Sequence, residues 1–212
     1  MRTRDAIALL RRVYRGTPPA ARVHVAIRFL TCPFPRMLDV LPESGRVLEL
    51  GAGHGIYAYL AAANPRLRVF AVEPDLRKSL PPHAPGVRWI AAFDDAIRGA
   101  FDAILVADVV YLLTLDERVT LYRRIYERLA PGGTFVLKEL DPARGLKIRW
   151  ARLQESLNNA FLHVTLGRGF VYQTREELEA TLRAIGFTDF AARRIDRGYP
   201  HPHILYTARK PL

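Results

Sequence analysis

The stretch Arg46-Val47-Leu48-Glu49-Leu50-Gly51-Ala52-Gly53-His54-Gly55-Ile56-Tyr57-Ala58-Tyr59-Leu60 constrains this chain more than any other. Val47, Leu48 and Leu50 make the short apolar run of a buried strand. Gly51, Gly53 and Gly55 then permit a tight turn and let backbone come close to a ligand, because no Cβ is in the way. Ala58, Leu60, Ala61, Ala62 and Ala63 favour a helix directly afterwards. The first amides of such a helix point at whatever sits over the turn. Strand, glycine loop and helix together predict the nucleotide-binding corner of an open α/β sheet.

A dinucleotide fingerprint, G-x-G-x-x-G, requires its third glycine at position 56, which is Ile56. The pattern is instead E-x-G-x-G-x-G, with Glu49 two residues ahead of Gly51. That spacing resembles motif I of the class I S-adenosylmethionine-dependent methyltransferases. An acid at Glu49 suits a cofactor whose amino-acid tail carries an ammonium group, not a pyrophosphate. A strand-turn-helix with no ligand and a variant NAD site are the competing readings of this stretch.

The 212 residues, half of them hydrophobic, suffice for one domain with a sizeable core. With Cys32 as the single cysteine, neither a disulfide framework nor a cysteine metal cluster can form within the chain, and no metal is expected. A cytoplasmic location fits. Arg11, Arg12 and Arg15 interrupt the early apolar positions, so no signal peptide is read there. The run from Phe101 to Leu115 is broken by Asp102 and Asp108 and is too short to span a bilayer. The net charge of +11 is concentrated toward the start, where residues 1–46 carry nine arginines against three acids. Such a balance favours an acidic partner: an acidic carrier protein, an anionic membrane surface or nucleic acid. A general arginine-rich coding habit explains the same composition.

Residues 4–14 and 21–30 have helical periodicity, with Thr17 placed to cap the second helix and Pro18 at its first position. The core then alternates as a doubly wound sheet should. Strands are predicted at Val47–Leu50, Leu67–Val72, Val87–Ala91, Phe101–Ala107 and Thr134–Leu137, with helices over Ile56–Ala63 and Asp116–Leu129. The second strand ends in Glu73-Pro74-Asp75, and Glu73, 22 residues after Gly51, is placed to accept both ribose hydroxyls. The competing reading is a helix N-cap acid. A helix from Thr174 to Ile185 carries a capping box, Thr174 with Glu177. Strands over Phe187–Ile195 and His203–Ala208 close the chain.

Two further stretches resemble the same family. Phe101 to Ala107 running into Asp108-Val109-Val110-Tyr111 resembles its motif IV, and Leu129-Ala130-Pro131-Gly132-Gly133 resembles the turn before its fifth strand. The resemblance is strong over residues 45–140. It implies a Rossmann-like seven-stranded sheet of order 3-2-1-4-5-7-6 with strand 7 antiparallel. It divides the single domain 1–212 into an N-terminal helical cap (1–45), a cofactor-binding core (46–140), a substrate-lid insertion (141–170) and a closing helix and strands (171–212). It implies S-adenosylmethionine as cofactor and S-adenosylhomocysteine as product. The expected cofactor residues are Glu49, Gly51, Ala52, Gly53, Gly55, Tyr57, Glu73, Pro74 and Asp108. After the third strand the family often has Gly-Asp, whose Asp binds adenine. Here Ala92-Phe93 stands there, followed by Asp94, so either Asp94 or a packed Phe93 is expected at the adenine.

Methyl transfer from a sulfonium needs alignment and exclusion of water more than a fixed triad. Where the nucleophile is a hydroxyl a base helps, and Glu139, Asp141, Tyr111 and His163 are the candidates, with His54 beside them. Each also has a plain structural role: loop cap, solvated helix residue or packing. The Asn/Asp-Pro-Pro-Tyr/Phe motif of nitrogen methyltransferases is absent, and no RNA-binding module is recognisable. A small-molecule acceptor methylated at oxygen or carbon is therefore expected. The rival readings are an RNA-binding methyltransferase and a non-catalytic cofactor-binding scaffold.

Overall fold

The computed structural model describes residues 1–78, 86–94, 97–141 and 173–212. Seven strands form one sheet: β1 (Gly45–Leu50), β2 (Leu67–Val72), β3 (Val87–Ile90), β4 (Phe101–Ala107), β5 (Leu129–Leu140), β6 (Thr188–Arg194) and β7 (His203–Arg209). Their order is β3-β2-β1-β4-β5-β7-β6, as expected, with β7 antiparallel to both its neighbours and the remaining pairs parallel. β1 is central: Glu49 pairs with Ala71 of β2 on one side and Leu105 of β4 on the other. Strands covered on both faces need apolar side chains at successive positions, and β1 and β4 supply them.

Six helices accompany the sheet among the described residues: α1 (Thr3–Val13), α2 (Pro19–Thr31), α3 (Phe34–Met37), α4 (Ile56–Ala61), α5 (Leu115–Arg128) and α6 (Arg175–Ile185). Strand parity divides the core. Val47, Ala71, Leu105 and Val136 face α1 to α4, whereas Leu48, Ile104, Phe135 and Leu137 face α5 and α6. The cap over residues 1–45 is therefore part of one core layer: Tyr14 meets Tyr59 of α4 edge-on at 5.9 Å.

The structure corrects the sequence reading in three places. Thr17 does not cap α2. Its hydroxyl donates to the Tyr14 carbonyl at 2.9 Å, satisfying the end of the preceding helix, and Pro18 takes the cap position. The turn Leu129–Gly133 lies within β5, which begins beside Phe101 before its register shifts. A second capping box, Thr114 with Glu117, starts α5 one residue earlier than its apolar spacing suggested. The expected box at Thr174 and Glu177 is present on α6. Apart from Asp141, the proposed lid insertion lies outside the described residues, as does His163. No helix among the described residues is long and apolar enough to cross a membrane.

Thr114→Ala removes the hydroxyl that accepts from the Glu117 amide and leaves the backbone half of the α5 box in place. That substitution should lower stability by about 1 kcal/mol, read as a shifted urea midpoint at unchanged slope.

Candidate functional site

The site begins where β1 turns into α4. Gly51, Gly53 and Gly55 have φ of 71°, 55° and 76°, the left-handed region that costs an L side chain. Space restricts two of them further. A Cβ on Gly51 would lie 2.4 Å from Val109 Cγ2, and one on Gly55 would lie 2.6 Å from the Trp89 ring. Gly53 is different: its missing Cβ faces open space, so the loop is tight against protein at its ends and open at its centre.

Three groups hold this loop. The Gly51 and Ala52 amides both donate to the Val72 carbonyl at 2.9 Å. The Glu73 carboxylate accepts from the Gly53 amide at 2.9 Å and from the Asp75 amide at 3.1 Å, with Lys78 3.6 Å away. The Tyr14 hydroxyl donates to the His54 carbonyl, which ties α1 to the loop. Burial, then the neighbouring Tyr59, push that phenol well above its usual range, so it stays a donor.

Glu49 is buried, its carboxylate accepting from the Ala58 amide at 3.0 Å. Burial pushes its pKa up to about 8; the Ala58 bond and the nearby Arg28 only partly offset this. Tyr57 is buried as well and turns its hydroxyl to the Met37 carbonyl, 3.3 Å away. Ala52 is buried, whereas Pro74 is exposed. At the end of β3, Phe93 lies beneath the Arg124 guanidinium at 5.1 Å, and Asp94 is exposed beside it.

On the other side of the cleft stands Asp108, the residue after β4. It has φ of 56°, unusual for a residue with a side chain, and its amide donates to the Lys138 carbonyl at 3.1 Å. Its carboxylate meets Lys138 Nζ at 2.5 Å and the Arg28 guanidinium at 2.9 Å. Burial alone would raise this carboxyl. Lys138 and Arg28 more than reverse that and hold it well below the usual carboxylate range. Lys138 is fully buried, while the Arg28 side chain is 38% exposed.

Around this pair the cap is pinned to the sheet. His203 Nε2 lies 2.6 Å from the Thr31 carbonyl, so that nitrogen carries the proton and donates. Burial, then Lys138, lower the His203 pKa to about 3, leaving the ring neutral. Burial raises the Cys32 thiol to about 11, which leaves it a packing residue. His24 of α2 lies over His54 of the glycine loop, ring centroids 4.7 Å apart.

The candidate bases separate. Tyr111 sits in the turn after Asp108, close to Arg28. Asp141 ends β5 with its carboxylate 3.1 Å from Arg194 Nε. Glu139 points to the opposite face of the sheet from Lys138, into a pocket shared with Arg118, Tyr122 and Tyr206. Sequence reasoning missed Arg28, Lys138 and Tyr14, although a lysine inside the apolar run of β5 is itself a signal that a buried anion must be near.

An acid-preceded glycine loop after β1, an acid after β2 and a third acid after β4 thus gather at the carboxyl ends of three adjacent strands of a 3-2-1-4-5-7-6 sheet. Residues 23–192 match the family described as a methyltransferase domain. The chain belongs to the class I methyltransferases. Their cofactor is S-adenosylmethionine. Among curated proteins, the secondary metabolism regulator laeA of Aspergillus fumigatus is 30% identical over 167 residues, covering 70% of this chain and 41% of its own length. The chain thus spans about two-fifths of the length of that relative. Human N-acetylserotonin methyltransferase in complex with S-adenosylmethionine superposes with a TM-score of 0.69 at 17% identity, covering 96% of this chain and 59% of the other. A Burkholderia thailandensis 1,6-didemethyltoxoflavin-N1-methyltransferase superposes at 0.62 and 20% identity, covering 100% and 92%. These two likenesses concern the fold.

Glu49 gives this methyltransferase a pH signature. Its carboxyl rises from 4.5 unfolded to about 8 folded, so between those values the native state binds a proton that the unfolded chain has lost. Stability from this group is therefore full below about pH 4.5 and declines as pH rises toward about 8. Glu49→Gln keeps an acceptor for the Ala58 amide and cannot ionise. Its melting temperature relative to wild type should increase between about pH 5 and pH 9. A difference independent of pH would mean that Glu49 is ionised throughout.

Proposed function

We propose that this chain transfers the methyl group of S-adenosylmethionine to an oxygen or carbon nucleophile of a small-molecule acceptor. The observation that carries the reading is the arrangement at the strand ends: a glycine loop open at Gly53 after β1, Glu73 bonded to it after β2, and Asp108 after β4. These residues fit the cofactor. Glu73 would hold the ribose, in place of or beside its bonds to the loop amides, and Gly53 leaves room for the ligand. Phe93 or Asp94 would meet the adenine. Glu49, Gly51, Ala52, Gly55, Tyr57 and Pro74 would shape the remainder.

The sulfonium supplies a good leaving group when the cofactor is bound. The protein's share is to align the acceptor and keep water out. Tyr111, beside Asp108, is well placed to orient an acceptor hydroxyl; Asp141 could do so after releasing Arg194. Asp108-Val109-Val110-Tyr111, in place of an Asn/Asp-Pro-Pro-Tyr/Phe motif, supports oxygen or carbon attack over base nitrogen. The basic cap supports an acceptor delivered on an acidic carrier or from an anionic surface. Val23, Ile27 and Leu30 are exposed along α2, and Arg11, Arg15 and Arg22 rim a cavity of about 350 Å³ between α1 and α2. A second reading, a cofactor-binding regulator without turnover, is supported by the name of the laeA relative.

Calorimetry should show S-adenosylhomocysteine binding and no NAD binding; the reverse would sink the proposal. Glu73→Ala should weaken S-adenosylhomocysteine at least about tenfold through lost charge-assisted hydrogen bonds. An unchanged affinity would put the ribose contact elsewhere. Incubating a metabolite extract with enzyme and isotopically labelled donor, followed by mass spectrometry, should reveal a labelled small molecule. Tight cofactor binding with no labelled product would favour the regulator.

A further inference from the structure

Asp108 has two cations and one negative charge. Lys138, buried beneath it at 2.5 Å, is sufficient to balance that charge and keep it ionised. Arg28 is the surplus. It reaches Asp108 from a different element, keeps 38% of its side chain exposed, and sits one helical turn beyond His24, whose ring lies over His54. α2 therefore carries a half-exposed guanidinium across the cleft from the glycine loop to the end of β4. Arg28 is also close enough to Glu49 to favour its ionised form, yet Glu49 stays raised to about 8 and balances little charge near neutrality. The described residues thus leave the cleft with a cation poorly matched by anions.

We propose that Arg28 is the ligand for the carboxylate of the cofactor's amino-acid tail, with Asp108 accepting from the ammonium of the same tail. This rests on the reading that the cleft takes S-adenosylmethionine. An α-amino acid offers both charges on one carbon, so it can enter the Arg28–Asp108 ion pair and replace each partner with one of like sign. Asp108 exchanges a guanidinium for an ammonium and keeps Lys138. Arg28 exchanges one carboxylate for another, and its planar fork can take both oxygens. No buried charge is left unpaired, which is the condition for opening such a pair without a large penalty. The Arg28–Asp108 ion pair is then a clamp closed on itself, and its Arg28 half ties α2 to the end of β4.

The test compares S-adenosylhomocysteine with 5′-methylthioadenosine, which keeps the adenosine and sulfur but lacks the tail. Calorimetry on the full chain should find Arg28→Met at least about tenfold weaker for S-adenosylhomocysteine and within about twofold of wild type for 5′-methylthioadenosine. Arg28→Lys, with the charge but not the fork, should fall between. Equal weakening of both ligands would overturn the clamp, showing that Arg28 only supports the fold. So would unchanged affinity for both. A measurement independent of any variant uses wild type with the carboxamide of S-adenosylhomocysteine, which removes the carboxylate charge. It should bind at least about tenfold more weakly than the acid, and equal binding would overturn the assignment. Wild type binding none of these ligands would instead overturn the cofactor reading, and the clamp with it.

Discussion

Lys138 is fully buried in β5, where an ammonium group is tolerable only with an anion against it. Asp108 is that anion, and its position follows from the need. The chain leaving β4 adopts a left-handed φ of 56° at a residue with a side chain, and its amide bonds back to the Lys138 carbonyl. A conformation costing on the order of 1–3 kcal/mol persists because both backbone and side chain of Asp108 are engaged by the same lysine. The next residue, Val109, then lies against Gly51, so the ion pair also sets the wall on which the glycine loop rests. Arg28 completes the arrangement from the cap.

The frame of the sheet was legible because strands buried on both faces need long apolar runs, and β1, β2 and β4 have them. The glycine loop was legible because positive φ at three alternate positions demands glycine. The capping box at Thr174 was readable for a similar reason: four orphan amides at a helix start call for a side-chain acceptor. What escaped was decided by contacts distant in sequence. Nothing local marks Arg28 among nine arginines in the first 46 residues; its role depends on an acid 80 positions away. Thr17 had two neighbouring backbone groups to choose from, and the carbonyl behind it prevailed over the amides ahead. Glu139 and Lys138 adjoin in sequence but face opposite sides of the sheet, a separation that strand parity alone anticipates.

Glu49 and Glu73 show how one residue type divides into two roles in one loop. Glu49 is enclosed between β1 and α4, bonds a helix amide and is pushed toward its neutral form. Glu73, at the outer end of β2, spans two loop amides and lies near Lys78. Their partners separate them, not the side chain: one helix amide for Glu49, two loop amides and a nearby lysine for Glu73. The acid before the glycines is thereby a strut of the loop as well as a candidate for the cofactor, and a motif that records only residue letters cannot distinguish those uses.

The bond from His203 to the Thr31 carbonyl joins positions 172 residues apart, and Tyr14 to His54 joins positions 40 apart. During synthesis the two cap helices leave the ribosome before any strand of the sheet, yet α2 gains its last anchor only when β7 is complete. Until then α2 lacks that anchor, although α1 can already meet the glycine loop and α4 through Tyr14. The cleft is therefore assembled by the earliest and latest segments of this domain together, and a nascent chain has no finished pocket until almost all of the domain has been made.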